Sequence, residues 1–262
     1  NFANKLWNAA RYVMTTLERA GVMDEWDSTP ISSHLEDRWI LSRLNRISVQ
    51  VQRYMEEYQF GEAQRVVHDF MWNEYCDWYL EMCKVRLRLG DAEQNSPIPV
   101  LAFVLERLLR LLHPFMPFIT EEIWQNLVNY LPYDSERPSA LMVAQYPEGN
   151  PDQFDEKAES DVETVTEMVR SIRNLRAEFR IQPNQSIEAI VNAPKISHII
   201  ETEADTIKAL AQVDPLNVVV NQPDSARVDS SQQISLILTN GTVTVPLRGL
   251  VDLAQEKVRL SN

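Results

Sequence analysis

The chain has 262 residues, of which 44% are hydrophobic, and a formal net charge of −13 at pH 7. That length and apolar content suffice for one large domain or two ordinary ones with real cores, while no apolar run is long enough to span a bilayer and no basic-then-apolar leader opens the chain, so a soluble cytoplasmic protein with no membrane contact is expected. The acidic balance excludes general nucleic-acid binding over a broad basic surface, because affinity for phosphate grows with the number of cations that displace counterions, so any RNA contact has to be local.

From Asn1 to about Tyr130 apolar residues recur at spacings of three and four, the period of amphipathic helices. Phe2, Leu6, Tyr12, Val13 and Leu17 mark a first helix that stops at Gly21, a residue suited to a helix C-cap. Its pattern is already running at residue 1 with no initiator Met, so the helix is expected to begin upstream and the chain to be a fragment. A second helix from about Ser33 to Tyr58, with Ser32 or Ser33 as N-cap, carries Leu35, Trp39, Leu41, Leu44, Ile47, Val51 and Tyr54. The third, about Phe60 to Leu89, carries Val66, Phe70, Trp72, Cys76, Tyr79 and Leu80 and ends in Lys84, Arg86 and Arg88 before Gly90. Positive charge suits a helix C-terminus. Cys76 and Cys83, seven apart on that helix, read as packed thiols with no disulfide. Pro97 and Pro99 open a fourth helix through Leu101, Val104, Leu105, Leu108, Leu109 and Leu112. Pro114 and Pro117 break it before a fifth, which follows Thr120 with Ile123, Trp124 and Leu127 inward. Short connections make neighbours antiparallel.

Pro132, Pro138, Pro147, Gly149 and Pro151 are too many breakers for regular structure and mark a linker. Beyond it, a helix from about Asp155 to Phe179 leads to a strand through Ile187, Ile190 and Val191, a helix of about Ile196 to Leu210, and a strand over Leu216 to Val220. Ile234, Leu236 and Leu238 alternate up to Asn240-Gly241, and Val243 and Val245 alternate away, a strong hairpin signal. The fold expected is mainly α: an antiparallel helix bundle over residues 1–147, a small α+β domain over 148–250, and the truncated start of a C-terminal helix over 251–262.

Catalytic chemistry is not written in the sequence. Four histidines stand at unrelated positions and there is no Cys-x-x-Cys pair, so no metal is expected. Glu56 with Glu57 and Glu121 with Glu122 are neighbours on helices and point about 100° apart, so they do not converge on a substrate. His113 lacks a partner for general-base work and reads as a capping or packing residue. No glycine-rich phosphate loop occurs. Trp72, Trp78 and Tyr79 could stack on unpaired bases at about 1–3 kcal/mol per base, but their helical spacing places them in the core.

Three blocks have a family character: residues 1–9 (Asn-Phe-Ala-Asn-Lys-Leu-Trp-Asn-Ala), residues 76–81 (Cys-Asp-Trp-Tyr-Leu-Glu) and residues 113–124, which open His-Pro-Phe-Met-Pro. With Ile172-Arg173-Asn174-Leu175-Arg176-Ala177-Glu178 and Pro246-Leu247-Arg248-Gly249-Leu250-Val251-Asp252, their order and spacing resemble the valyl-tRNA synthetases over nearly the whole chain. The His-Pro-Phe-Met-Pro block is shared with isoleucyl and leucyl relatives. The isoleucyl branch commonly ends in a cysteine-ligated zinc module, for which this chain has too few cysteines. The resemblance implies an anticodon-binding region whose class I catalytic domain lies upstream, and that the helix over 251–262 is the start of a coiled coil. It also implies valine tRNA and that catalytic domain as partners, a monomer, and ATP and magnesium as requirements of the parent enzyme, with no cofactor in this chain. The rival reading, a helical scaffold for protein interactions, lacks the internal repeat it needs.

In that family the first helix enters from the catalytic domain, so its C-terminus is the distal end. The third helix is expected to run parallel to the first, which gathers Arg19, Val22, Met23 and Trp26 with Lys84, Arg86, Leu87 and Arg88, near Ser33 and His34. Cations beside exposed apolar residues suit splayed bases, with phosphates neutralised and base faces covered. Arg86 and Arg88 read equally well as cations that complement a helix C-terminus in water. A second basic stripe, Arg170, Arg173, Arg176 and Arg180, could follow an RNA backbone. Interleaved Glu167 and Glu178 also fit a solvated, salt-bridged face.

Overall fold

In the computed structural model the described residues are 2–21, 30–90, 96–132, 137–219 and 233–246. Helix α1 (Phe2–Ala20) buries Leu6, Ala9, Ala10, Val13 and Leu17, the three-and-four spacing expected of one inward face. It ends at Gly21, whose φ of +89° is open to glycine at no steric penalty. Helix α2 (Leu35–Glu56) starts one residue beyond His34, which makes no side-chain capping bond. The expected serine cap is absent because Ser32 Oγ is engaged elsewhere, accepting from His34 N and donating to Asp37 Oδ2 at 2.7 Å.

Helix α3 (residues 60–89) is α-helical over Phe60–Asp69 and Leu80–Leu89 and π-helical over Phe70–Tyr79 between them. Within the π-helical stretch Phe70, Met71, Tyr75, Cys76, Trp78 and Tyr79 are all buried. Trp78 and Tyr79 are therefore core residues, and Trp72 is half-buried. Tyr75 Oη donates to the Leu101 carbonyl at 3.0 Å, which satisfies the buried phenol. Gly90, with φ of +75°, terminates the helix.

Contacts between α1 and α3 climb both helices in the same sense. Phe2 stacks on His68 with ring centroids 4.5 Å apart, Lys5 meets Asp77 at 2.5 Å and lies over the Trp72 ring, and Lys84 sits 5.1 Å from the Tyr12 ring. The two helices are thus parallel, with their C-terminal ends together. Helix α4 (Ile98–Leu112) is buried nearly all round, including Val100, Val104, Leu108 and Leu112, which makes it the centre of the bundle. Helix α5 starts at Pro117, not after Thr120, and runs Pro117–Leu127. Thr120 instead occupies its first turn, donating to the Met116 carbonyl at 2.9 Å and lying 2.8 Å from His113 Nδ1, which gives His113 a packing role.

The proline-rich stretch that follows contains short turns at Leu141–Val143 and Pro151–Gln153 and is held to α2. A Cβ on Gly149 would stand 2.3 Å from the Asn45 carbonyl oxygen, so only glycine allows this approach. Asn150 N donates to Asn45 Oδ1, Arg38 clasps Asp155, and Glu159 receives Arg46 and the Ser42 hydroxyl. By packing, the compact units are Asn1–Glu159 and Ser160–Asn262. The division falls inside α6 (Glu156–Glu178), because its first turn belongs to the α2 clamp.

In the second unit the sheet order is β2-β1-β4-β3, from strands β1 (Ile187–Asn192), β2 (Val213–Val219), β3 (Gln233–Leu238) and β4 (Gly241–Pro246). Strand β1 is parallel to β2 and antiparallel to β4, and β3 and β4 form the hairpin. Gly241 is needed at its turn, since a Cβ there would lie 2.5 Å from that of Ala193. The single helix expected near 196–210 is two, α7 (Ser197–Thr202) and α8 (Ala204–Ala211). Strand β2 begins at Val213 and tolerates Pro215 because it is an edge strand. The expected helix over 251–262 lies outside the described residues. Among the described residues no helix is long and apolar enough to cross a membrane.

Candidate nucleic-acid interface

Parallel packing of α1 and α3 opens a groove of about 670 Å³ between their C-terminal ends. Tyr12, Thr16, Arg19 and Ala20 line it from α1, Glu81, Lys84, Leu87 and Arg88 from α3, and Ile98 from the start of α4. Helical spacing explains the selection: 12, 16 and 19, like 81, 84 and 88, recur at three and four and so share a face. Of the residues singled out from the sequence, Arg19, Lys84, Leu87 and Arg88 come together here. Val22, Met23 and Trp26 lie outside the described residues.

The groove is chemically mixed. Lys84 Nζ bonds Glu81 Oε1 at 2.6 Å beside the Tyr12 ring, and burial raises the Tyr12 phenol above its ordinary pKa. Arg88 is exposed and spends its Nε on the Lys84 carbonyl at 3.2 Å. Arg19 is exposed and Leu87 half-buried. Tyr12, Thr16, Glu81 and Ile98 were not singled out from the sequence. For Tyr12, Thr16 and Glu81 the signal that could have found them is the same three-and-four spacing applied to α1 and α3 once their parallel pairing is known; Ile98, on α4, is placed there by packing alone.

Arg86 does not belong with them. It stands two residues from Lys84 and from Arg88, which on a helix is nearly the opposite face, and it is only 6% exposed. Its guanidinium binds Glu36 Oε1 through one terminal nitrogen and Asp37 Oδ2 at 2.7 Å through the other. Asp37 also accepts the Tyr79 hydroxyl at 2.6 Å. Burial by itself would lower the pKa of Arg86, but the carboxylates of Asp37 and Glu36 outweigh it and hold the cation above its ordinary value. Burial pushes Glu36 up in spite of Arg86. The expectation that Arg86 contacts phosphate is therefore corrected: its charge is consumed inside the bundle, where it neutralises two carboxylates.

The second basic stripe divides in the same way. Arg170 and Arg180 are exposed, and Arg173, also exposed, donates Nε to the Leu210 carbonyl at 2.8 Å. Arg176 is buried and ties the end of α6 to the turn before β2, donating to the carbonyls of Gln212 and Gln182 and to Gln212 Oε1. It is a structural residue and is removed from the proposed RNA contacts.

At the opposite end of the bundle an apolar hollow of about 300 Å³ is lined by Phe2, Ala3, Gln64, His68, Leu112, Phe115 and Met116. Neither Lys nor Arg lines it. Cys76 and Cys83 are free and buried, the first thiol pushed up to about 12 and the second well above its ordinary value by burial, so neither is a nucleophile at neutral pH. Among the described residues no group of three or more His, Cys, Asp or Glu side chains is arranged to hold a metal ion.

The first unit is thus a helix bundle with a local cationic groove on an acidic chain, and a family match covers most of it. Residues 37–191 match the anticodon-binding domain of tRNA ligases, and the chain belongs to that family. It is 45% identical over 260 residues to a valine–tRNA ligase of Dehalococcoides mccartyi, 37% identical over 263 to one of Geobacter sulfurreducens and 34% identical over 263 to one of Bacillus subtilis. Each of these alignments covers 99% of this chain, and the chain spans 28% of the length of each of these relatives.

Proposed function

We propose that this chain is the tRNA-binding, anticodon-recognising part of a valine–tRNA ligase, and that it catalyses nothing by itself. The parent enzyme joins L-valine to its tRNA in the cytoplasm, and ATP and magnesium act in its upstream catalytic domain. The observation that carries the reading is the α1/α3 groove: on a chain of net charge −13 it gathers Arg19, Lys84 and Arg88 around Leu87 and Tyr12. Phosphate neutralisation beside apolar and aromatic surface is what a splayed anticodon loop requires. Arg170 and Arg180 supply a secondary contact to the RNA backbone. The chain acts as a monomer.

Fluorescence anisotropy with valine tRNA and an anticodon-swapped version tests this. With Arg19 and Arg88 facing phosphates, the slope of log affinity against log salt should be roughly −1.5 to −2 from this groove, and the cognate anticodon should bind more tightly. Equal affinity for both RNAs with no salt dependence would overturn the proposal.

A further inference from the structure

The groove contains a group that a purely phosphate-binding surface would avoid. Glu81 is the one carboxylate among its lining residues, and its side chain is 41% exposed. Only Oε1 is committed, to Lys84 at 2.6 Å, and among the described residues Oε2 has no partner. A carboxylate beside the groove repels phosphate, so its position has to be tolerated or used. The surroundings favour use. Leu87 and Ile98 offer apolar contact to a base face, Tyr12 offers a ring, and Arg19 and Arg88 stand ready for the flanking phosphates. The volume of about 670 Å³ leaves ample room for one extruded base.

Resting on the reading that this groove binds the anticodon loop, we propose that Glu81 is a specificity-determining residue. Its second carboxylate oxygen, Oε2, accepts a hydrogen bond from the exocyclic amino group of an extruded anticodon base, selecting cytosine or adenine over uracil. A carboxylate can only accept, so it rewards an amino group and repels the oxo group that uracil presents in the same place. Lys84 holds the carboxylate in position through Oε1 at 2.6 Å. An ionised acceptor makes the contact to the amino group charge-assisted.

The test is anisotropy on this chain with valine tRNA and with versions in which one amino-bearing anticodon base is replaced by its counterpart lacking the group, cytosine by uracil or adenine by purine. The unsubstituted chain should lose roughly 10- to 100-fold in affinity at one such position. Glu81→Gln, whose amide can turn either an acceptor or a donor toward the base, should shrink that loss to within a few-fold while circular dichroism and the melting temperature stay unchanged. Arg88→Ala is the control for the underlying reading: it should weaken all these RNAs alike and flatten the salt slope. If Arg88→Ala does so but Glu81→Gln leaves the base discrimination intact, the role of Glu81 is overturned and the anticodon reading stands. If neither variant changes binding, the groove is not the RNA site and both fall together.

Discussion

Two arginine stripes, one at the end of α3 and one along α6, look alike in the sequence and are used alike by the fold: each turns one arginine inward. The way each buried cation is satisfied differs. Arg86 is met by the carboxylates of Glu36 and Asp37, and they hold it above its ordinary pKa. Arg176 is met by two backbone carbonyls and a side-chain amide oxygen, which carry no net charge, and burial lowers its pKa. The difference teaches that a basic run in a sequence counts charges without locating them. Paired carboxylates cancel a buried cation electrostatically, whereas carbonyls only replace the hydrogen bonds it made to water.

Removing each arginine should expose that difference, and the largest effect is expected at Arg86. Arg86→Ala leaves Glu36 and Asp37 buried without a cation and should destabilise the first unit by about 3–5 kcal/mol in urea unfolding. Arg86→Lys should recover only part of this, since a point charge cannot bridge two carboxylates as a guanidinium does. A loss no larger than that of an ordinary surface arginine would mean the cluster is not buried as described. Acid should relieve the defect. Burial raises the pKa of Glu36, so the folded state holds that proton more firmly than the unfolded one. The resulting stability is present below the unfolded pKa and is lost as pH rises through the folded value. The gap between Arg86→Ala and the unsubstituted chain should therefore narrow as pH falls from 7 toward the ordinary carboxylate range.

The thiols report on the same region kinetically. Cys76, with its pKa pushed to about 12, and Cys83, held still further from ionisation by burial close to Asp37 and Glu36, should resist iodoacetamide at pH 8 in the unsubstituted chain. In Arg86→Ala labelling should accelerate, because each opening of the bundle exposes them. Mass spectrometry of the alkylated chain measures it, and equal labelling in the two proteins would show that Arg86 does not hold this part of α3 closed.

Arg176→Ala should be milder, about 1–3 kcal/mol, because it removes hydrogen bonds but strands no opposite charge. Hydrogen exchange should locate the loss around α8 and β2, leaving the first unit unchanged. Arg88→Ala, the exposed member of the first stripe, should change stability by no more than about 0.5 kcal/mol. Its effect belongs to binding, a fall of roughly 0.7–1 in the magnitude of the salt slope. If Arg86→Ala flattened the slope and Arg88→Ala did not, the inward and outward assignments would be exchanged.

The sequence by itself determined the helices of the bundle, the extent of α3, the prolines that start α4, the hairpin at Asn240-Gly241 and the parallel course of α1 and α3. These rest on local spacing, on residues with restricted or unusual backbone freedom, and on connections short enough to fix direction. It also brought Arg19, Lys84, Leu87 and Arg88 to one end of the molecule. What only the tertiary structure decided is where each side chain of that end points. The π-helical stretch Phe70–Tyr79 shifts the angular phase of everything after it, so a period of 3.6 counted from Phe60 cannot say that Arg86 faces α2 while Lys84 and Arg88 face α1. The acids that receive Arg86 stand some fifty residues earlier in the chain and the amide that receives Arg176 some thirty-six later, and pairings over such separations follow from packing, which no local pattern encodes.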